Sequence, residues 1–126
     1  MSNINTLKDL IIYQSETNNI KVEVLYDEED FWLTQKTMAE LFNVKVNTVN
    51  YHLKEIFDSN ELNIDSVIRK IRTTAKDGKN YETNFYSLDA IIAVGYRVNS
   101  KEATSFRKWA TNTLKEYIKK GYVLNK

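Results

Sequence analysis

TQKTMAELFNVKVNTVNYHLKEIF, residues 34–57, holds two runs of helical spacing separated by a short break. Thr34 is the expected N-cap of the first run, where Met38, Leu41 and Phe42 share an apolar face and Glu40 stays outside it. Ala39 is small enough to let a second helix pass close by. Asn43 stands at the break, where a left-handed backbone is needed and Asn tolerates it. Val44 plugs the corner. Val49, Leu53, Ile56 and Phe57 then repeat at helical spacing and give the second helix a buried face. Its opposite face carries Lys45, Asn47, Thr48, Asn50, Tyr51 and Lys54, which have the length and chemistry to reach base edges and phosphates. Gln35 and Lys36 open the first helix beside them. The pattern is that of a helix-turn-helix with a recognition helix second. The plainer alternative is an αα-corner with polar groups on its wet side.

Working outward, the chain of 126 residues predicts one domain over residues 1–126. Its 42% hydrophobic and 28% charged residues fit a globular protein. It has no cysteine, so disulfides, thiolate metal sites and cysteine nucleophiles are excluded. Neither a signal peptide nor an apolar run long enough for a membrane span is visible, so a cytoplasmic protein with no membrane partner is expected. Charge is distributed unevenly along a chain of net +1. Residues 1–33 hold seven of its seventeen acids and two of its eighteen bases, leaving ten acids against sixteen bases afterwards. A nucleic-acid face would therefore lie after residue 33.

Upstream, Ile11 to Ser15 and Ile20 to Leu25 read as a hairpin around Thr17-Asn18-Asn19. The acidic run Asp27 to Asp30 reads as a solvated loop, and Phe31, Trp32 and Leu33 as core beneath the first helix. Downstream, Asp58 to Asp65 reads as a linker anchored by Leu62 and Ile64. Val67 to Thr74 and Tyr81 to Tyr86 form a second hairpin about Asp77-Gly78, a pair suited to a two-residue type I′ turn. That hairpin carries Arg69, Lys70, Arg72, Lys76 and Lys79 against Asp77 and Glu82. It reads either as a DNA-contacting wing, with Lys70, Arg72, Lys76 and Lys79 on phosphates, or as an ordinary solvated hairpin. Ser87 and Asp89 open a helix from Leu88 to Val98, with Leu88, Ile91, Ile92, Gly95 and Tyr96 as its buried stripe. Gly95 within that stripe implies close approach of another element. Ser100 caps a last helix whose apolar face is Ala103, Phe106, Trp109, Ala110, Leu114, Tyr117 and Ile118. Gly121 ends it.

The expected fold class is α+β: a winged helix-turn-helix-like domain with an N-terminal hairpin, a second hairpin as wing, and two C-terminal helices. His52, the one histidine, is expected to be a half-buried helix residue, because no further ligands stand at zinc spacing. No nucleophile is paired with a base and the three glycines are scattered, so no catalytic site, metal or cofactor is expected.

The MAELFNV corner, the TVNYHLKEIF helix, the DGKNYETNFYSLDAIIAVGYRVNS block and FRKWATNTLKEYIKKGY together resemble the RhuM family of bacterial, virulence-associated proteins. More distantly they resemble the Bro-N domain of viral and phage DNA-binding proteins. The resemblance runs from about Phe31 onward. In the Bro-N pattern the last helix carries a Phe, a basic residue, a Trp and a closing Gly-Tyr, matched here by Phe106, Arg107, Trp109, Gly121 and Tyr122. The Pro that often precedes its last turn is missing, which implies a straighter helix. The resemblance implies duplex DNA as partner and a lone N-terminal module or the first part of a longer protein. The alternative function it implies is a protein-interaction or regulatory N-terminal domain that tethers an effector such as a Fic-type enzyme. A homodimer, a C-terminal effector domain and a protein partner remain the alternative associations.

Overall fold

A computed structural model describes residues 9–15, 19–74 and 76–120. The predicted turn residues Thr17 and Asn18, the Ile118 side chain, and Gly121 with Tyr122 lie outside what is described. The order of elements is β1 (Asp9–Gln14), β2 (Lys21–Asp27), β3 (Asp30–Leu33), α1 (Gln35–Phe42) and α2 (Val46–Asp58). These are followed by α3 (Ile64–Val67), β4 (Ile68–Thr74), β5 (Asn80–Ser87), α4 (Leu88–Arg97) and α5 (Lys101–Lys120). The class is α+β. The strands form one antiparallel sheet in the order β1-β2-β3-β5-β4.

The two expected hairpins are present but not separate, because β3 joins them. The acidic run is not a solvated loop. Glu28 and Glu29 alone make the turn, both with positive φ, as a type I′ hairpin requires. Asp27 and Asp30 are paired strand residues. Asp27 is buried and meets Arg69 at 2.8 Å, while its carbonyl accepts the Trp32 indole N–H at 2.9 Å. Asp30 accepts the Phe31 N–H at 2.7 Å. Charge alone made this run look wet; the buried Asp27 and the half-buried Asp30 each have a donor.

Strand register divides the sheet into two faces. Tyr13, Val22, Val24, Tyr26, Phe31, Leu33 and Tyr86 share one face and are all buried. Helix α5 lies against it. Phe106 packs edge-on to Tyr13 with ring centres 5.1 Å apart, and Trp109 stacks on Phe31 at the same distance. At the start of α5 the buried Glu102 carboxylate accepts the Tyr13 hydroxyl at 3.0 Å and the Ser15 hydroxyl at 2.9 Å, tying β1 to that helix.

Other boundaries move for local reasons. Asn63 accepts the Asp65 N–H and starts the one-turn helix α3, so Asp65 and Val67 are helical rather than linker and strand. Leu62 packs against the core, but Ile64 is exposed. Thr74 pairs with Asn80, so the connection between β4 and β5, described over residues 76–79, is longer than a two-residue turn. In that loop Gly78 has positive φ and Asp77 does not. The buried face of α4 is Ala90, Ile91, Val94 and Gly95; Tyr96 is 53% exposed, at the edge of the expected stripe. Gly95 is where α4 meets α1 and α5: a β-carbon there would lie 2.6 Å from Ala103 Cβ and 2.8 Å from Phe42 Cζ. The predicted caps Thr34 and Ser100 accept the N–H groups of Thr37 and Glu102. Ser87 occupies its cap position without a side-chain cap bond.

Candidate nucleic-acid interface

Helices α1 and α2 are held at a fixed corner. Met38, Ala39, Leu41 and Phe42 of α1 and Val49, Leu53 and Ile56 of α2 are buried. Asn43 between them is left-handed (φ 56°, ψ 50°), and the Val44 N–H returns to the Ala39 carbonyl at 3.0 Å. The sequence dictates this corner directly: apolar spacing fixes the two faces, and Asn supplies the turn.

The outward side of α2 presents Lys45, Asn47, Tyr51 and Lys54 to solvent, with Thr48 and Asn50 half-buried. Lys36 is exposed on α1, and Gln35 is half-buried. Neither helix has an acid in its first turn, so no carboxylate offsets the positive end of either dipole. Val46, 43% exposed, opens the same helix and puts an apolar side chain on this side. Its apolar type had disguised it, although Val46, Asn50 and Lys54 fall on one i, i+4 line.

Gln35 joins this helix to the sheet. Its amide Nε2 donates to the Tyr86 hydroxyl at 3.0 Å and to Asn50 Oδ1 at 3.3 Å. Register puts Lys70 and Arg72 on the sheet face of Tyr86, opposite Asn84 and Glu82. Both bases are exposed, and Asn84 lies beside them. Lys76 and Lys79 are exposed in the connecting loop, where Asp77 accepts the Lys79 N–H at 2.9 Å. That loop begins six strand steps beyond the Ile68–Tyr86 pair, roughly 20 Å away at strand rise. Gln35 and Asn50 thus meet at Tyr86, Lys70 and Arg72 follow outward along the same sheet face, and the two loop lysines lie farther out.

Arg69 alternates to the opposite sheet face. There it bonds Asp27 and Glu28, and its guanidinium lies 4.6 Å from the Trp32 ring centre. Burial works against its charge, but the two carboxylates outweigh it and raise its pKa. It belongs to the fold rather than to the hairpin's outward bases. On the flank of α2, His52 Nδ1 and Glu55 Oε1 are 2.9 Å apart. Arg97 reaches Glu55 at 3.2 Å and Glu61 at 2.8 Å. The His52 contact, with smaller help from Tyr51 and Arg97, holds the Glu55 carboxyl below its usual range. Glu55, on the flank of α2, is therefore already partnered. His52 is a half-buried helix residue, as its position suggested.

Among the described residues, no helix is long and apolar enough to cross a membrane. No curated protein and no solved structure matches the chain. The sequence model of the Virulence protein RhuM family matches residues 66–126. The match takes in β4, β5, α4 and α5, and starts well after Phe31, leaving the α1–α2 corner outside it. Over residues 66–126, just under half of its length, the chain is similar to the Virulence protein RhuM family.

Proposed function

We propose that this chain binds duplex DNA, with α1 and α2 acting as a helix-turn-helix and the β4–β5 hairpin as a wing. Helix α2 enters the major groove with Asn47, Asn50 and Tyr51 toward base edges. Lys36, Lys45 and Lys54 take flanking phosphates, and Lys70, Arg72, Lys76 and Lys79 contact the backbone further out. The observation that carries this reading is the Gln35 bridge from Asn50 to Tyr86. It links the polar side of α2 to the sheet face bearing Lys70 and Arg72. One surface then offers both donors for bases and cations for phosphates.

The test is anisotropy titration of the chain with random-sequence duplex DNA at two salt concentrations. Affinity should fall steeply as salt rises. The Asn47→Ala, Asn50→Ala double variant should retain binding to random duplex and lose preference for a selected site. Absent or salt-indifferent binding would reject the reading. A second reading, a protein-interaction module that tethers an effector, draws on the opposite sheet face. Leu10 and Ile12 there are 61% and 49% exposed, and Tyr81 on the same face is 47% exposed.

A further inference from the structure

We infer that Gln35 is a positioning residue that orients the Asn50 amide for adenine; this rests on the DNA reading above. An asparagine pairs with adenine through two bonds, its carbonyl accepting from N6 and its amide donating to N7. A freely rotating amide presents its two ends in either order. Gln35 removes that freedom. One hydrogen of its amide goes to Asn50 Oδ1 at 3.3 Å, and the other goes to the Tyr86 hydroxyl at 3.0 Å. With both hydrogens engaged, the Gln35 side chain is fixed at two points.

The anchor is firm. Tyr86 is 4% exposed and sits in the core cluster, and Gln35 is the first residue of α1 after the Thr34 cap. The Asn50 carbonyl is therefore turned toward Gln35, and its NH2 is turned away. One lone pair of Oδ1 and both amide hydrogens remain for DNA. That set supplies one acceptor and one donor in fixed order, which matches adenine. Guanine offers two acceptors, O6 and N7, so the Asn50 carbonyl would face an acceptor. Fixing the amide before binding also reduces the ordering cost of the contact.

The experiment uses the full chain and a duplex site selected from a random library. Each A·T pair of the site is changed in turn to G·C, and discrimination is read as the affinity ratio at constant salt. The parent should discriminate at one A·T position by roughly ten- to a hundredfold. Asn50→Ala should abolish discrimination at that position alone. Gln35→Ala and Tyr86→Phe should each reduce it severalfold while leaving the salt slope on random duplex unchanged. Adding Gln35→Ala to Asn50→Ala should have no further effect, because the positioned group is gone. Two results would overturn the inference: Gln35→Ala, folded by circular dichroism, keeping the parent's discrimination, or Gln35→Ala costing the same with and without Asn50. If Asn50 governs an A·T preference that ignores Gln35, this inference falls and the DNA reading stands. If the parent binds no duplex DNA, both fall.

Discussion

The Arg69 guanidinium lies over the Trp32 ring, 4.6 Å from its centre, and bonds the buried Asp27 carboxylate at 2.8 Å. A base near the start of a cationic strand thus serves the interior. Its side chain is 30% exposed and that of Asp27 only 9%, so the pair is shielded mainly on the carboxylate side. Arg69→Ala should cost about 1–3 kcal/mol in urea unfolding, since it leaves Asp27 buried without its cation. It should leave the salt slope of DNA binding unchanged. Unaltered stability, or a slope smaller by one phosphate, would place Arg69 on the outer surface instead.

Gly95 sets the distance between three helices. Gly95→Ala would gain about 1 kcal/mol of helix propensity. The new methyl, however, would meet Ala103 Cβ at 2.6 Å and Phe42 Cζ at 2.8 Å. Ala103 Cβ is fixed to the α5 backbone and cannot swing away. Overpacking of this kind typically costs 1–3 kcal/mol, and contacts this short argue for the upper half of that range. A net loss of about 1–2 kcal/mol is expected in denaturant melts. A variant as stable as the parent would mean that α4 and α5 can separate freely.

Burial pushes the Asp30 carboxyl above its ordinary pKa, against the lowering effect of the Phe31 and Leu88 N–H groups. A carboxyl raised in the folded state favours its protonated form there. The associated stability is fully present below the unfolded value of about 3.9 and is lost as pH rises through the higher folded value. Subtracting the stability curve of Asp30→Asn from that of the parent should show this fall over the mildly acidic range. A flat difference curve would mean that Asp30 titrates normally.

Much of the corner was legible because each device there is local. Apolar spacing marks the buried faces of α1 and α2, Thr34 marks the cap, and Asn43 marks the left-handed turn. Gly95 was legible for the same reason: a glycine in an apolar stripe needs a neighbour to justify it. What stayed hidden depends on pairing across the sheet. β3 has four residues and follows an acidic run, and nothing within Asp27–Asp30 announces that Arg69 will neutralise it from 42 positions away. The Gln35–Asn50–Tyr86 bridge is equally non-local, spanning 51 positions. Gln35 and Asn50 were both expected at the interface, yet only tertiary structure joins them. Asp77-Gly78 misled because its turn preference holds when strands pair right up to it, and here pairing stops at Thr74–Asn80.

The last prediction concerns the tip of the β4–β5 hairpin. Lys76 and Lys79 are exposed there, and the loop lies roughly 20 Å along the strands from Tyr86. At that distance the tip could touch DNA only as a wing reaching the backbone beyond the groove that α2 fills. Each lysine on a phosphate contributes about 0.9 to the slope of log affinity against log salt. The Lys76→Ala, Lys79→Ala variant should therefore flatten the slope by roughly two units, equally for selected and random duplex. Fold disruption is a minor concern, because in the tip the Asp77 carboxylate accepts the Lys79 N–H and the Tyr81 hydroxyl, and neither lysine side chain takes part in those bonds. Superimposable salt plots for parent and variant, with unchanged circular dichroism, would remove the tip from the DNA contact and confine it to Lys70, Arg72 and the helix face.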